Sequence, residues 1–163
     1  MSEAIGPERT GIRISPFGRV GDMPAFEQEL DTWLELGKGL SNRKIAYVHL
    51  SDQITLGSAA NSDEFESGFT DGFLESFRVA YNGVLIMAGG FNKQRAERYL
   101  DAGKIDLVAF GRPFIPNPDL VTRMQNDWPL AEAPRTVFYG GDNHGYIDFP
   151  TYVEQQAQQI LSN

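Results

Sequence analysis

VLIMAGGFNKQRAERYLDAGKIDLVAFGRPF, residues 84–114, contains two short apolar runs that both end at glycine. Residues 84–87 and 107–110 have the continuous apolar character of buried parallel strands. Residues 93–102 have helical spacing, and Gly103 follows at the position where a left-handed residue ends a helix. The order predicts a βαβ unit made of a strand, a glycine turn, a helix, a second strand and a second glycine turn.

The helix predicted over residues 93–102 has one apolar face, formed by Ala96, Tyr99 and Leu100. Its charged residues, Arg95 among them, are spread over the rest of its surface. This spacing predicts an amphipathic helix whose charged side chains lie away from the packed face.

The two glycine turns, Gly89-Gly90 and Gly111, follow neighbouring strands. Because glycine lacks a Cβ, its backbone can approach a ligand closely and present N–H groups to it. Two such turns at the carboxyl ends of adjacent parallel strands converge, and with Arg112 beside them the position suits a phosphate. The alternative is that both are ordinary βα turns and that Arg112 forms a surface ion pair. Two glycine turns in consecutive units, with an arginine at the second, favour the phosphate interpretation.

Residues 11–15, GIRIS, predict a strand with Ile12 and Ile14 on one face and Arg13 and Ser15 on the other. If the isoleucines pack against helices, Arg13 points into the interior of a barrel. An arginine buried there needs a charged or strongly accepting partner, and a carboxylate of the core is the commoner one.

Two further elements are predicted between this strand and the βαβ unit. A helix begins at Pro24, carries an apolar stripe and is closed by Gly37 and Gly39. A strand over 44–50 follows, with His49 on the same face as Tyr47. His49 is interpreted as a packed barrel residue rather than as an acid or base, because no Asp or Ser lies at a motif spacing to it.

The remaining predictions follow from apolar spacing and from turn residues. They are a long loop over 51–68, a helix over 71–81 with Phe73, Leu74, Phe77 and Val79 as core candidates, a short helix over 120–126 and a final helix over 151–161. Arg123, on the short helix, is expected at the surface.

Composition narrows the class of protein. The chain has 163 residues, of which 41% are hydrophobic and 22% charged, as in a soluble globular chain that forms a single unit over 1–163. A net charge of −8 argues against a nucleic-acid or anionic-membrane surface. The absence of cysteine excludes disulfides, thiolate metal sites and cysteine nucleophiles, and no metal site is predicted. No apolar run has the length of a membrane span and no signal-peptide pattern opens the chain, so a cytoplasmic location is the default expectation.

Six segments carry a family resemblance: GIRISPFG at 11–18, YVHL at 47–50, AGGF at 88–91, VAFGRPFIPNPDLV at 108–121, PLAEAPRTVFYGG at 129–141 and HGYIDFPTY at 144–152. In this order they resemble the carboxyl-terminal half of the Old Yellow Enzyme family, FMN-dependent ene-reductases built on a (β/α)₈ barrel. The resemblance covers nearly the whole chain, and it is most specific over 108–152.

The resemblance implies FMN as the cofactor and NADH or NADPH as the electron donor, with hydride passed from the flavin to the β-carbon of an activated alkene such as an enone. It places Arg13 at the flavin ring, in preference to a core ion pair. By position, the implied cofactor-binding residues are Arg13, Gly89, Gly90, Gly111, Arg112, Phe138 and Tyr139, with the glycines and Arg112 at the phosphate and the two aromatic residues beside the ring. Tyr139 would also contact the substrate.

The resemblance also implies what this chain does not supply. The chain opens where the fifth barrel strand of the family begins, which predicts an α/β carboxyl-terminal half-barrel of about four βα units with parallel strands. The family's carbonyl-binding pair and proton-donor tyrosine come from earlier strands, so no catalytic residue is assigned.

Four strands of an eight-stranded barrel leave two open edges and one uncovered interior face. We expect the chain to bind a separately encoded amino-terminal half-barrel or to self-associate. The alternatives are a non-catalytic flavin- or phosphate-binding module and a truncated gene product.

Overall fold

A computed structural model describes residues 1–19, 23–52, 67–138 and 143–161. The chain divides into two compact units, unit 1 over residues 1–109 and unit 2 over residues 110–163. Most of the loop predicted over 51–68 lies outside the described residues. The prediction that residues 1–163 form a single half-barrel unit stays a prediction.

Unit 1 contains a sheet of four parallel strands in the order β1-β2-β3-β4. The strands are β1 Gly11–Ile14, β2 Tyr47–Ser51, β3 Val84–Ala88 and β4 Leu107–Ala109. Strands that are successive in the chain are neighbours in the sheet, which is the arrangement that repeated crossovers between parallel strands produce. The predicted α/β class with parallel strands is confirmed.

The helices described in unit 1 are α1 Ser2–Ile5, α2 Glu29–Asn42, α3 Phe73–Ala80 and α4 Lys93–Asp101, and a 3₁₀ turn spans Pro7–Arg9. The ends of α4 follow the predicted signals. Asn92 caps its first turn, because its side-chain oxygen accepts the backbone N–H of Arg95 at 2.8 Å. Gly103, with φ at 64°, is the left-handed residue that was predicted to end the helix.

One face of the sheet forms the core of unit 1. Val48 pairs with Leu85, and Leu50 pairs with Met87, and all four side chains are fully buried or nearly so. Phe77 of α3 is also fully buried. A fully buried apolar side chain of this size contributes about 1.5–3 kcal/mol, so this face holds the strands to the helices.

Helix α2 differs from its prediction at both ends. It begins at Glu29 instead of Pro24, and it continues through Gly37 and Gly39 to Asn42, so the prediction that these glycines close it is wrong. A Cβ on Gly37 would lie 3.1 Å from Cε2 of Phe77. Glycine therefore lets α2 and α3 approach closely, and this packing outweighs a helix-propensity loss of about 1 kcal/mol.

Two helical side chains lie on faces that the sequence did not predict. Val79 is 88% exposed, so its assignment to the core is wrong, whereas Phe73, Leu74 and Phe77 are buried as predicted. Buried side chains instead continue from Phe77 to Tyr81, which directly follows the end of α3. Arg95, expected among the outward charged residues of α4, is 8% exposed.

Unit 2 contains α5 Leu120–Gln125, α6 Tyr152–Leu161 and two 3₁₀ turns, Arg112–Phe114 and Arg135–Val137. No helix among the described residues of the chain is long and apolar enough to cross a membrane.

The centre of unit 2 is Arg123, which is 1% exposed, so the expectation that it lies at the surface is wrong. Its Nε donates to Oδ1 of Asp119 at 2.7 Å, and its Nη1 donates to the carbonyl of Pro129 at 2.9 Å. The second oxygen of Asp119 accepts the backbone N–H of Tyr152 at 2.8 Å. These bonds satisfy the buried guanidinium and join α5 to the start of α6.

Candidate functional site

The second face of the unit 1 sheet carries the arginine predicted to bind the flavin ring. Arg13 of β1 pairs with His49 of β2, and His49 pairs with Ile86 of β3, so the three residues form a row across the sheet. Arg13 is exposed, and its Nη2 donates to Oγ of Ser51 at 3.1 Å. Among the described residues of unit 1 it has no carboxylate within ion-pair distance, so the core ion pair considered from the sequence is not observed there.

Large apolar side chains surround this row. Tyr47 is 40% exposed, Val84 is 41% exposed and Leu107 is 52% exposed, and the strand register places them on the same face as His49. We call the face formed by Arg13, Tyr47, His49, Val84 and Leu107 the open face. An apolar sheet face of this kind suits a planar ligand or another protein element.

His49 is the titratable group of the open face closest to Arg13 in the strand register. Burial lowers the pKa of His49, and the positive charge of Arg13 lowers it further. Its Nε2 is buried and has no hydrogen-bond partner among the described residues. The imidazole is therefore neutral near pH 7.

The glycine turn after β3 has a backbone that only glycine adopts readily. Gly89 has φ at 135° and Gly90 has φ at 54°. A Cβ on Gly89 would also lie 2.5 Å from the carbonyl oxygen of Asp52. Gly89 is therefore required for close packing against the end of β2 as well as for the turn itself.

The carbonyl groups of this turn are held by a buried arginine. Nη1 of Arg95 lies 3.4 Å from the carbonyl oxygens of both Gly89 and Gly90. The guanidinium carbon lies 4.8 Å from the ring centroid of Phe91 and 5.2 Å from that of Tyr99, within the range of cation–π attraction.

The N–H groups of the same turn remain available. In a trans peptide the N–H points away from the carbonyl of the preceding residue, and the described chain has no cis peptide. The N–H groups of Gly90 and Phe91 are therefore directed away from Arg95. Neither donates a hydrogen bond within the described part of unit 1. Two unpaired N–H groups at a strand end are the donors that an anion needs.

Asp52 lies beside this turn, at the end of β2, and its side chain is 0% exposed. Its backbone N–H donates to the carbonyl of Ala88 at 2.8 Å. Its carboxylate accepts the hydroxyl of Ser67 at 2.7 Å and the N–H of Gly68 at 2.8 Å, and lies 3.8 Å from Nη2 of Arg95. Burial raises the pKa of Asp52, although the two hydrogen bonds and the charge of Arg95 oppose that effect.

Unit 2 carries the second predicted glycine turn. Among the described residues of unit 2, a Cβ on Gly111 would meet no atom within 4 Å, so the space beside this residue is open there. Arg112 is partly buried, and among the described residues of unit 2 its guanidinium makes no hydrogen bond or ion pair. The surface ion pair that was the alternative for Arg112 is therefore not observed within its unit.

The predicted ring contacts lie at the edge of the described part of unit 2. Phe138 directly follows the 3₁₀ turn Arg135–Val137, is partly buried, and its N–H donates to the carbonyl of Arg135 at 3.1 Å. Tyr139 lies outside the described residues. Among the described residues, no cluster of His, Asp and Glu side chains could hold a metal ion.

Sequence reasoning missed Asp52 and Arg95. The available signal was the position of Asp52 in the chain. Asp52 directly follows β2, and β2 neighbours β3, so Asp52 and Gly89 lie at the same edge of the sheet. For Arg95, the helical pattern placed a charged residue outward, whereas in the structure its guanidinium lies near the two turn carbonyls and the carboxylate of Asp52.

Comparison with known proteins gives a consistent family assignment. A family model described as "NADH:flavin oxidoreductase / NADH oxidase family" matches residues 1–131. The chain is 35% identical over 153 residues to a putative 12-oxophytodienoate reductase 11 of Oryza sativa subsp. japonica, covering 92% of this chain and 39% of the relative. It is 33% identical over 164 residues to enoate reductase 1 of Kluyveromyces lactis, covering 96% of this chain and 41% of the relative.

Solved structures give the same result. Morphinone reductase matches with a TM-score of 0.82 and 34% identity, covering 94% of this chain and 39% of that chain. The old yellow enzyme from Trypanosoma cruzi matches with a TM-score of 0.77 and 32% identity, covering 93% of this chain and 37% of that chain. The chain thus spans roughly two fifths of the length of the relatives it matches.

Proposed function

This chain belongs to the NADH:flavin oxidoreductase / NADH oxidase family, and on that premise we propose that it supplies the FMN-binding part of an Old Yellow Enzyme-type oxidoreductase. The proposed activity is the NADH- or NADPH-dependent reduction of an activated alkene such as an enone. When bound, FMN would accept a hydride from the nicotinamide and deliver it to the alkene.

The surroundings of Arg112 carry this proposal. An arginine without an ion pair among the described residues of its unit, beside a glycine with open space, suits a phosphate because charge-assisted hydrogen bonds to phosphate are strong and directional. We assign Gly111 and Arg112 of unit 2 to the phosphate of FMN. In unit 1, the backbone N–H groups of the Gly89-Gly90 turn can also donate hydrogen bonds to an anion, and we propose the same role for them.

The ring of FMN is assigned to the open face of unit 1. Arg13 would place its positive charge at the part of the ring that becomes negative on reduction, and Ser51 holds its guanidinium by one hydrogen bond. Phe138 and Tyr139 of unit 2 are proposed to lie beside the ring, and Tyr139 to contact the substrate. No catalytic residue is assigned to this chain.

We further propose that the open face is covered by the complementary part of a (β/α)₈ barrel. That part would carry the substrate-activating residues, whether on the same polypeptide or on a separate chain. The exposed apolar side chains of Tyr47, Val84 and Leu107 support such a partner. The same exposure supports a second candidate, a self-associating flavin- or phosphate-binding module without reductase activity.

An absorbance experiment tests the proposed function. Purified chain is titrated with FMN, and the flavin band is followed before and after anaerobic addition of NADPH. We expect a shifted flavin band on binding, and bleaching by NADPH where the complementary part is present. A shifted band with no bleaching in the complete barrel would favour the non-catalytic module. An unshifted band under every condition would contradict FMN binding.

A further inference from the structure

We propose that Asp52 and Arg95 act as one buried positioning pair, which sets the Gly89-Gly90 turn in its anion-binding shape and fastens the segment that returns after β2 beside it. The inference rests on the proposed function for the identity of the anion, the phosphate of FMN. Neither side chain is assigned a direct contact with the cofactor.

Arg95 controls the orientation of two peptide groups. Its Nη1 is shared between the carbonyls of Gly89 and Gly90, at 3.4 Å from each. The rings of Phe91 and Tyr99 lie against the guanidinium and restrict its position. Because each peptide is planar and trans, turning these two carbonyls toward Arg95 turns the N–H groups of Gly90 and Phe91 the opposite way.

Asp52 fixes the position of this turn. The carbonyl oxygen and Cβ of Asp52 lie 2.5 Å and 2.7 Å from where a Cβ on Gly89 would be, so the turn rests directly on this residue. Its carboxylate lies 3.8 Å from Nη2 of Arg95, with 0% of the Asp52 side chain and 10% of the Arg95 side chain exposed. A buried charge is stable only with compensation, so removal of either partner takes away part of the compensation of the other.

The same carboxylate joins a distant part of the chain to the turn. Ser67 and Gly68 donate to the two oxygens of Asp52, and they are 15 and 16 residues further along. The hydroxyl of Ser67 in turn accepts the N–H of Phe69 at 3.1 Å. The residue that follows β2 and residues 67 and 68 are therefore fastened together beside Gly89. A change at Arg95 should therefore alter residues 67–69 through Asp52.

The test combines hydrogen exchange with ligand affinity in the full chain. Arg95→Met keeps an apolar stem between the two rings and removes the guanidinium, and Arg98→Met changes an exposed arginine of the same helix. In the absence of flavin, we expect amide exchange in Arg95→Met to rise about tenfold at Asp52, whose N–H donates to the carbonyl of Ala88 beside the turn, and at Gly68 and Phe69, because the guanidinium that stabilises both segments is lost. Arg98→Met should leave both segments as in the parent chain. Increased exchange at Asp52 alone would overturn the coupling.

Binding affinities for FMN and riboflavin distinguish a role in positioning the Gly89-Gly90 turn from a general loss of structure. We expect Arg95→Met and Asp52→Asn to weaken FMN binding about tenfold and to change riboflavin binding less than about twofold, because riboflavin lacks the phosphate. Arg95→Lys should recover part of the FMN affinity, since it keeps the charge but not the fork of donors. Equal losses for FMN and riboflavin would overturn the positioning role. If the parent chain binds no flavin, the proposed function fails, and the exchange result alone decides whether the pair couples the two segments.

Discussion

At the scale of single residues, the arginines of this chain have different surroundings and therefore different uses. Arg123 is enclosed in unit 2 by bonds to Asp119 and Pro129. Arg95 is enclosed in unit 1 by two aromatic rings and two carbonyls. Arg13 lies on the open face with one hydroxyl partner, and Arg112 has no ion pair among the described residues of its unit. The first two stabilise the fold, and the last two have donors left for a ligand.

The Asp119–Arg123 pair should make the stability of unit 2 sensitive to acid. Burial disfavours the charged form of Asp119, but the hydrogen bonds from Arg123 and from the N–H of Tyr152 outweigh it and lower the pKa of Asp119. Its contribution is therefore present above the unfolded-state pKa and lost as pH falls through the folded-state value. Urea unfolding at pH 7 and pH 3 should show a smaller acid loss in Asp119→Asn than in the parent chain.

Glu132→Gln provides the control for this pH experiment. Glu132 is exposed and belongs to the same unit. Its replacement should leave the difference in unfolding free energy between the two pH values as in the parent chain. If Asp119→Asn and Glu132→Gln behave alike, the acid sensitivity does not come from the Asp119–Arg123 pair.

The surroundings of some of these arginines could be predicted from the sequence, and those of others could not. The position of Arg112 after a strand and a glycine was enough to predict a cation at the turn. Burial of Arg95 and Arg123 was not predictable, because it depends on carbonyl groups that only the folded backbone brings to each guanidinium. Helical spacing alone assigns such residues to the surface.

At the scale of elements, the packing of α2 on α3 depends on one glycine. Gly37 is buried, and a Cβ added to it would lie 3.1 Å from Cε2 of Phe77. The nearest atom to a Cβ added to Gly39 is Nη1 of Arg43, at 3.4 Å. Both glycines lie inside α2, and both carry the propensity loss of glycine. They differ in that only Gly37 contacts a neighbouring helix through this position.

Substitution at the two glycines should therefore have opposite effects on stability. We expect Gly37→Leu to lower the unfolding free energy by about 1–3 kcal/mol, because the added atoms overpack the contact with Phe77. Gly39→Ala should raise it by up to about 1 kcal/mol through helix propensity. Thermal unfolding of the two variants measures this. A chain that tolerates Gly37→Leu without loss would show that α2 and α3 are not closely packed at this point.

The strands were more predictable than the helix ends. The continuous apolar runs at 84–87 and 107–110 gave β3 and β4 to within one residue. The alternation in β2 correctly placed Tyr47 and His49 on one face. The ends of α2 were not predictable, because glycine, which usually ends a helix, is here retained for close packing.

At the scale of the whole molecule, unit 1 exposes apolar surface on one face of its sheet. Tyr47, Val84 and Leu107 are between 40% and 52% exposed there, on the face that also carries Arg13. Buried apolar surface contributes roughly 25 cal/mol per Å², so covering this face would be favourable. We propose that the complementary part of a barrel covers it.

Polar substitutions on the open face should distinguish association from folding. We expect Leu107→Gln and Val84→Gln to change the unfolding free energy of the chain by less than about 1 kcal/mol, since both side chains are already half exposed. They should nevertheless weaken association with the complementary half, or self-association, measured by sedimentation. Val79→Gln, at a side chain that is 88% exposed on α3, is the control and should affect neither property. Unchanged association in the Leu107 and Val84 variants would exclude the open face as the interface.

We propose that FMN binds this chain through its phosphate and that Arg112 supplies the cation. The most direct test is the FMN dissociation constant of Arg112→Ala beside that of Arg98→Ala, an exposed arginine on α4. Loss of charge-assisted hydrogen bonds of about 1.5–3 kcal/mol predicts a roughly 10- to 150-fold weaker affinity in Arg112→Ala. Arg98→Ala should bind FMN as the parent chain does. Equal affinities in the two variants would contradict the assignment of Arg112 to the phosphate.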